Sequence, residues 1–405
     1  MAIHDDGELG SPGMLSRPAV RIGLGVAVVL LGVPLLYAWG WTLDRYSTGR
    51  AISHAEDQGN KALEGNDPVR ALIAFNYARE LRPSSPSLQR NIWRARARFL
   101  AENADRVTLE NLEQSRYEVA ELLADDPKNA VFLVAQAHID LKHGENADAG
   151  KNLTEAVKQD PKSVLAHLAR AAFLQRTSDK ADDVIAEFNA VLAVEPNNFA
   201  AHFGLGQMFY LKKDLQKEID TYKKAIAVNP ASYAAHQALG DAYRRVGSVE
   251  ALGEAHKEYK KAALIQPNNP EPHWGLGIIE RLANNWKEAE AELRMAMRGK
   301  RTPAMDFELA VVLARQNRCQ EAMPFFAQFL REEPTNAGAL IEIGTCAQAL
   351  GQKESARVYY SKVLELPLPS ADDPKRADAE KLNAAIRVRI AQLGAPAAAA
   401  PLRRR

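Results

Sequence analysis

Four histidines, His167, His202, His236 and His273, recur along the middle of the chain at a nearly even interval. Imidazoles ligate metals and titrate near neutral pH, so such a column raises the question of a metal ladder or a pH sensor. A shared zinc would need each nitrogen at about 2.0–2.1 Å, whereas successive packed helices stand roughly 8–10 Å apart. The rings therefore read as amphipathic groups half-buried between helices, with pH sensing as the remainder. Two cysteines, Cys319 and Cys346, exclude a disulfide-dense scaffold and a thiolate metal cluster. Gly204-Leu205-Gly206 and Gly275-Leu276-Gly277 follow no strand and sit in no GxxxxGK[ST] context, so they read as helix-packing glycines rather than phosphate cradles. No GxSxG or HExxH occurs. The expectation is a non-enzyme with no cofactor and no metal.

The elements that carry these residues are helical. No run of alternating β-branched residues occurs outside the N-terminal apolar segment, and glycine and proline fall mostly at element ends. The chain has 405 residues with 52 basic against 51 acidic, so no basic excess drives nucleic-acid binding.

The stretch Phe199–Ser232 shows the organising unit. Two amphipathic helices are expected around a short turn at Lys212–Asp214. Gly206 and Ala225 are small enough for close helix approach, Tyr222 stands at the twenty-fourth position of the stretch, and Pro230 stands just past the second helix. This period of about 34 residues, with this punctuation, resembles the tetratricopeptide repeat (TPR). Leu239-Gly240, Tyr259, Ala262 and Pro267 repeat the pattern, as do Leu276-Gly277, Ala289 and Ala296, and Ile343-Gly344, Ala356 and Tyr360. The array covers residues 52–370 as nine units. The second is degenerate, with added residues around Glu102–Thr108, and the sixth has three added residues in its turn near Gly247–Gly253. Residues 371–393 should form a capping helix introduced by Asp372, Asp373 and Pro374, and 394–405 a disordered tail. The fold class is all-α. The resemblance implies a right-handed superhelix, an α-solenoid, whose concave face is lined by the first helix of each repeat.

The resemblance also implies where a partner would bind. Groove positions of TPR proteins map here to Phe203, Gln207 and Tyr210, to Gln237, Asp241, Arg244 and Arg245, to Trp274, Ile278 and Arg281, and to Phe307, Val311 and Arg315. Aromatics and arginines are the residue types that anchor peptides. Phe203 and Trp274 have a second reading, as packing between helices. The Lys/Asn clamp with which some TPR co-chaperones grip a C-terminal carboxylate is not reproduced. Cys319 begins the second helix of the eighth repeat and Cys346 lies late in the first helix of the ninth. In a TPR stack these helices adjoin, so a disulfide is implied if the domain meets an oxidising compartment; otherwise they are two small buried residues. Asn152-Leu153-Thr154 matches a glycosylation triplet but falls inside a helix and reads as chance.

Residues 1–20 are polar and rich in Gly, Pro and Asp, and read as a disordered tail. Ile22–Trp41 then runs without a charge and, at roughly 1.5 Å per residue, spans a hydrocarbon core of about 30 Å. Tyr37, Trp39 and Trp41 gather at its end as interfacial aromatics do. Ala38-Trp39-Gly40 loosely fits a signal-peptidase site, but the apolar run is long and Trp flanks the bond, so residues 21–43 read as an uncleaved transmembrane anchor. Arg17 and Arg21 before it balance Arg45 and Arg50 after it; signal-anchor logic puts the repeats outside the cytoplasm, in a periplasm, with the cytoplasmic orientation the alternative. The sequence thus reads as a membrane-anchored scaffold that binds a protein or peptide partner in its groove, in envelope assembly, secretion or maturation. The second reading is a structural subunit of a polysaccharide-export or secretion complex.

Overall fold

A computed structural model describes residues 48–103, 111–178, 180–299, 301–370 and 372–394. The expected anchor at 21–43 and the tail at 1–20 lie outside them, as does nearly all of 394–405. Among the described residues there are nineteen α-helices and no strand, and no helix is long and apolar enough to cross a membrane.

The helices fall into two compact units. The first, ending at Val194, holds α1 (Thr48–Glu64), α2 (Pro68–Leu81), α3 (Pro86–Glu102), α4 (Leu112–Asp125), α5 (Ala130–His143), α6 (Asn146–Gln159), α7 (Val164–Thr177) and α8 (Ala181–Val194). The second, beginning at Glu195, holds α9 (Phe199–Leu211), α10 (Leu215–Val228), α11 (Tyr233–Val246), α12 (Val249–Ile265), α13 (Pro270–Leu282), α14 (Trp286–Ala296), α15 (Pro303–Arg315), α16 (Cys319–Glu332), α17 (Ala337–Ala349), α18 (Lys353–Glu365) and α19 (Arg376–Gln392). In both, consecutive helices pack as hairpins and each hairpin packs on the next.

Local chemistry sets the boundaries. Ser85, Asn129, Ser163, Asn198, Ser232, Asn269, Thr302 and Asn336 each accept a backbone N–H from the first turn of the helix that follows. Such caps satisfy one of the orphan donors of a helix start and contribute about 1 kcal/mol each. All but Thr302 stand two residues after a proline that ends the preceding helix, as Pro230 precedes Ser232. One short Pro-x-Ser/Asn signal therefore stops the second helix of one pair and starts the first helix of the next. Within several pairs the chain reverses through a left-handed residue: Gly144, Gly247 or Gly351, Asn66, Asn284 or Asn317, and once Lys213 at φ 59°.

The interior is built from alanines below and rings above. Ala71, Ala137, Ala156, Ala225, Ala262, Ala289, Ala322 and Ala356 are fully enclosed. Phe75, Tyr222, Tyr259, Phe326 and Tyr360 of the second helices are buried against the first helices. Tyr259 is held between two glycines: a Cβ placed on Gly240 or Gly275 would stand 2.8 or 2.5 Å from its ring, so neither site admits alanine without displacement.

Two departures from the expected layout have physical causes. The added residues of the sixth repeat do not lengthen its turn. Gly247 and Ser248 make the whole connection, Ser248 caps α12, and α12 runs to 17 residues against 14 in α10. Extending a helix by a turn gives every added amide a partner, whereas a longer loop would leave them to water. Ahead of α19, Asp373 does not cap the helix; its side chain accepts the Lys375 amide at 2.8 Å in a turn before it. Only Ile386 of α19 is buried, so the helix lays one apolar line on α18 and presents polar residues outward.

Candidate functional site

In the second unit α11 adjoins α13, α13 adjoins α15, and α15 adjoins α17, so first helices line one face. The candidate residues divide on it. On α9, Gln207 is exposed and Tyr210 is 51 % exposed. The Arg245 guanidinium lies 4.6 Å from the centre of the Tyr210 ring, and both its terminal nitrogens donate to the buried Glu218 of α10. Arg245 is thereby a fixed shelf under an open aromatic ring. Phe203, two turns before Tyr210, is half-buried, with its ring 5.8 Å from Phe199 and 5.6 Å from Tyr222.

On α11 the candidates form a polar network. The Tyr259 hydroxyl donates to Asp241 at 2.7 Å, Arg244 Nε donates to the Tyr259 oxygen at 3.3 Å, and Gln237 Nε2 donates to Asp241 at 3.2 Å. Burial pushes the Tyr259 phenol well above its usual range, so it remains a hydrogen-bond donor. Burial works against the Arg244 charge, but Tyr259 and Asp241 outweigh it and hold the guanidinium protonated.

Further along, the candidates serve the scaffold. Trp274 and Phe307 pack on the cluster around Leu293, Leu309 and Phe326, with the Phe307 ring 5.0 Å from Phe329. Ile278 and Val311 are buried. Arg281 Nε stands 2.5 Å from Glu308, and Arg315 makes a two-pronged pair with Glu342 at 2.6 and 3.0 Å. Both arginines tie one first helix to the next.

The histidines carry a second construction that sequence reasoning missed. His167, His236 and His273 each donate Nε2–H to the carbonyl of the proline six residues earlier, at 3.0–3.1 Å. Their Nδ1 atoms face Glu187, Glu258 and Glu292 of the following helix at 2.6, 2.5 and 2.6 Å. Each ring thus ties the stop signal of one hairpin to the second helix of the next, and His167 and His236 are buried rather than half-buried. His202 holds the Pro196 carbonyl at 2.9 Å, but its Nδ1 is unpartnered, because Thr221 stands where the other repeats have glutamate. The available signal was a histidine six residues after a proline, with a glutamate about one helix later. Among the described residues no three of His, Cys, Asp and Glu gather as a metal site.

Cys319 and Cys346 are joined in the structure, with Cα atoms 5.1 Å apart. The bridge links the start of α16 to the late part of α17. Asn152 of the glycosylation triplet donates its amide to Asp140 at 2.8 Å inside the α5–α6 hairpin.

Family models described as tetratricopeptide repeat match residues 134–190, 175–233 and 337–367. The chain carries tetratricopeptide repeats. Within the matched residues lie the buried Ala137, Ala156, Ala225 and Ala356, the close approach of Tyr222 to Gly206 and of Tyr360 to Gly344, and the stops at Pro161, Pro196 and Pro230. Among solved structures, MamA of Desulfovibrio magneticus RS-1 is 21% identical, over 42% of this chain and 93% of its own, with a TM-score of 0.38. YrrB, described as a TPR protein with an unusual peptide-binding site, is 19% identical, over 48% and 97%, with a TM-score of 0.41. PilF of Pseudomonas aeruginosa is 16% identical, over 55% and 94%, with a TM-score of 0.44. No curated protein matches this chain.

Proposed function

We propose that this protein is a non-enzymatic TPR scaffold that holds an extended or helical segment of a partner protein against the first helices of its second unit. One observation supports the reading above the others: Tyr210 is open to solvent over an arginine already fixed by Glu218, with Gln207 exposed beside it. A rigid, half-exposed aromatic with a preset cation binds at little entropic cost. The polar network of Gln237, Asp241 and Arg244 supplies adjoining hydrogen-bonding groups. Ile22–Trp41 holds the scaffold in a membrane, supported by its length and its terminal aromatics, with the repeats outside the cytoplasm and a role in envelope assembly, secretion or maturation.

Pull-down with Tyr210→Ala and Gln207→Ala against wild type tests the face, and unchanged partner recovery removes it as the binding site. Trp274→Ala and Arg281→Ala are unsuited to the purpose, because both residues hold the stack. Protease protection in intact cells and in spheroplasts tests the orientation: repeats digested in spheroplasts but not in intact cells support the outward placement, and repeats digested only after lysis reverse it.

A further inference from the structure

The added residues of the sixth repeat raise a crest on the second unit that the TPR pattern does not explain. Tyr222 is the eighth residue of α10 and Tyr259 the eleventh of α12, and each packs on the glycine of its own first helix, Gly206 or Gly240. The extra turn of α12 therefore lies ahead of Tyr259, next to Gly247 and Ser248, and by the helical rise it extends the helix by about 4.5 Å at that end. Consecutive helices of the unit pack as hairpins, so the turn within each pair falls on one edge of the stack and the proline stops fall on the other.

The turn edge is apolar in three successive repeats. The last residue of α9, α11 and α13 is an exposed aliphatic, Leu211, Val246 or Leu282, and Val249 at the start of α12 is 82 % exposed. Lone exposed apolar side chains are ordinary. The same position filled in neighbouring repeats is not scatter. The backbone gives no reason for them, since the last turn of a helix favours a cation, as Arg315 provides at the end of α15. In the first unit the corresponding ends of α1, α5 and α7 are Glu64, His143 and Thr177. At the proline-stop edge the exposed Leu264 and Ile265 belong to α12, while α10 and α14 end there in Val228 and Ala296, which are not exposed. Beside Leu211 stand the exposed Lys212 and Lys213. Lys213 holds φ 59° at the turn position that Gly247 and Asn284 fill in the next two repeats, and strain of that kind persists where the side chain is wanted. The nearby acids are engaged: Asp214 is paired with Lys217 at 2.8 Å, and hydrogen bonds from its own backbone amide and from Ser248 hold the Glu250 carboxyl below the usual range.

We propose that this edge is a lipid-contacting surface: Leu211, Val246, Val249 and Leu282 enter the interface of a phospholipid bilayer, and Lys212 and Lys213 meet its phosphate groups. The inference rests on the reading of Ile22–Trp41 as a membrane anchor. Only residues 42–47 separate that segment from α1, so edge and bilayer belong to one tethered molecule, and a weak contact is amplified by effective concentration. The shape favours lipid over a protein partner. The apolar residues stand on separate helix ends rather than around a pocket, where the hot spots of protein interfaces gather. A bilayer interface is soft enough to take separate side chains while the turn backbone stays among hydrated headgroups. The two lysines complement the charge of anionic lipid.

The test places an environment-sensitive fluorophore on Val249→Cys and, as control, on Asn268→Cys, an exposed position at the proline-stop edge. The full chain, with its disulfide intact, is reconstituted into phosphatidylcholine vesicles that carry a nitroxide on the acyl chain, with and without phosphatidylglycerol. The probe at 249 is expected to be quenched about threefold more strongly than the probe at 268, and more so with phosphatidylglycerol. Leu211→Ser combined with Leu282→Ser should reduce quenching at 249 by about half, and Lys213→Gln should remove the part that depends on phosphatidylglycerol. All these side chains are exposed, so the variants should keep the wild-type thermal midpoint. Equal quenching at 249 and 268 overturns the proposal, as does quenching at 249 that the serine and glutamine variants leave unaltered. An emission shift at 249 that follows protein concentration in detergent, without quenching by the lipid nitroxide, assigns the edge to a second copy and also overturns it. An alkaline wash separates the edge from the anchor. A chain retained on the vesicles without quenching at 249 keeps the anchor and removes the edge; a chain quenched at 249 but then washed off keeps the edge and removes the anchor.

Discussion

Arg281 Nε lies 2.5 Å from Glu308 Oε2, joining α13 to α15 across one repeat boundary. The N–H is not aimed along that line, so the contact is an ion pair without a well-formed hydrogen bond. Burial pushes the Glu308 carboxyl up and outweighs the opposing pull of Arg281. A carboxyl raised in the fold contributes stability below the ordinary carboxylate range and loses it as pH rises through its folded value. Glu290, one helix earlier, is the opposite case. Burial works against its charge, but hydrogen bonds from Gln316, Arg294 and Arg318 hold it below the usual range. Its contribution is present at neutral pH and lost on acidification. Thermal unfolding from about pH 4 to about pH 7 should therefore show Glu308→Gln gaining on wild type as pH rises and Glu290→Gln losing. Parallel pH profiles for the wild type and both variants would show the assignment to be wrong.

The histidine clamps contain their own control. His236 holds the Pro230 carbonyl and Glu258, and truncating it leaves the carbonyl without that donor and the buried Glu258 with Lys261 alone. His236→Ala is expected to cost about 2–4 kcal/mol. His202 holds only the Pro196 carbonyl, so His202→Ala should cost about 1–2 kcal/mol less. Denaturant titration of the two variants decides it, and equal losses would mean that packing volume, not the clamp, sets the cost.

Cys319 and Cys346 close a loop with a sequence separation of 27. By chain entropy a bridge of that span contributes about 3–4 kcal/mol, so reduction should lower the denaturant midpoint of the protein by a matching amount. Thiol counting under denaturation on protein from its native source is the direct check. Two reactive thiols would mean that the pair stays reduced there.

Lys213 occupies the left-handed turn position that Asn284, Asn317 and Gly247 fill in other repeats, at φ 59°. A side chain with a Cβ costs roughly 1–2 kcal/mol there, partly offset by the greater unfolded-state freedom of glycine. Lys213→Gly should raise the thermal midpoint slightly, and a lower midpoint would show that Lys213 makes a compensating contact.

Much of the architecture was legible in residue spacing. Gly206, Tyr222, Ala225 and Pro230 state which side of a helix is buried and where it must stop, and much of that pattern recurs in the later repeats, because each hairpin needs a similar close approach. The Pro-x-Ser/Asn starts were equally readable, since a cap acts within one turn of its own residue. Insertions were less so: the added residues before Gly253 went into helix α12 rather than its turn, a matter of where the amides found partners.

The candidate face was legible only as positions. The repeat register told that Tyr210, Arg245, Arg281 and Arg315 share an aspect of the first helices, because helical periodicity is local. Which of them is free depends on what the next repeat brings within reach. Glu308 and Glu342 claim Arg281 and Arg315, and Glu218 fixes Arg245 beneath an open Tyr210. Repeat spacing in the sequence by itself determined the helices, their punctuation and the buried faces, which depend on neighbours a few residues away. Tertiary structure decided which charges are spent on the scaffold, because an ion pair forms only where two helices distant in sequence are brought within hydrogen-bonding reach.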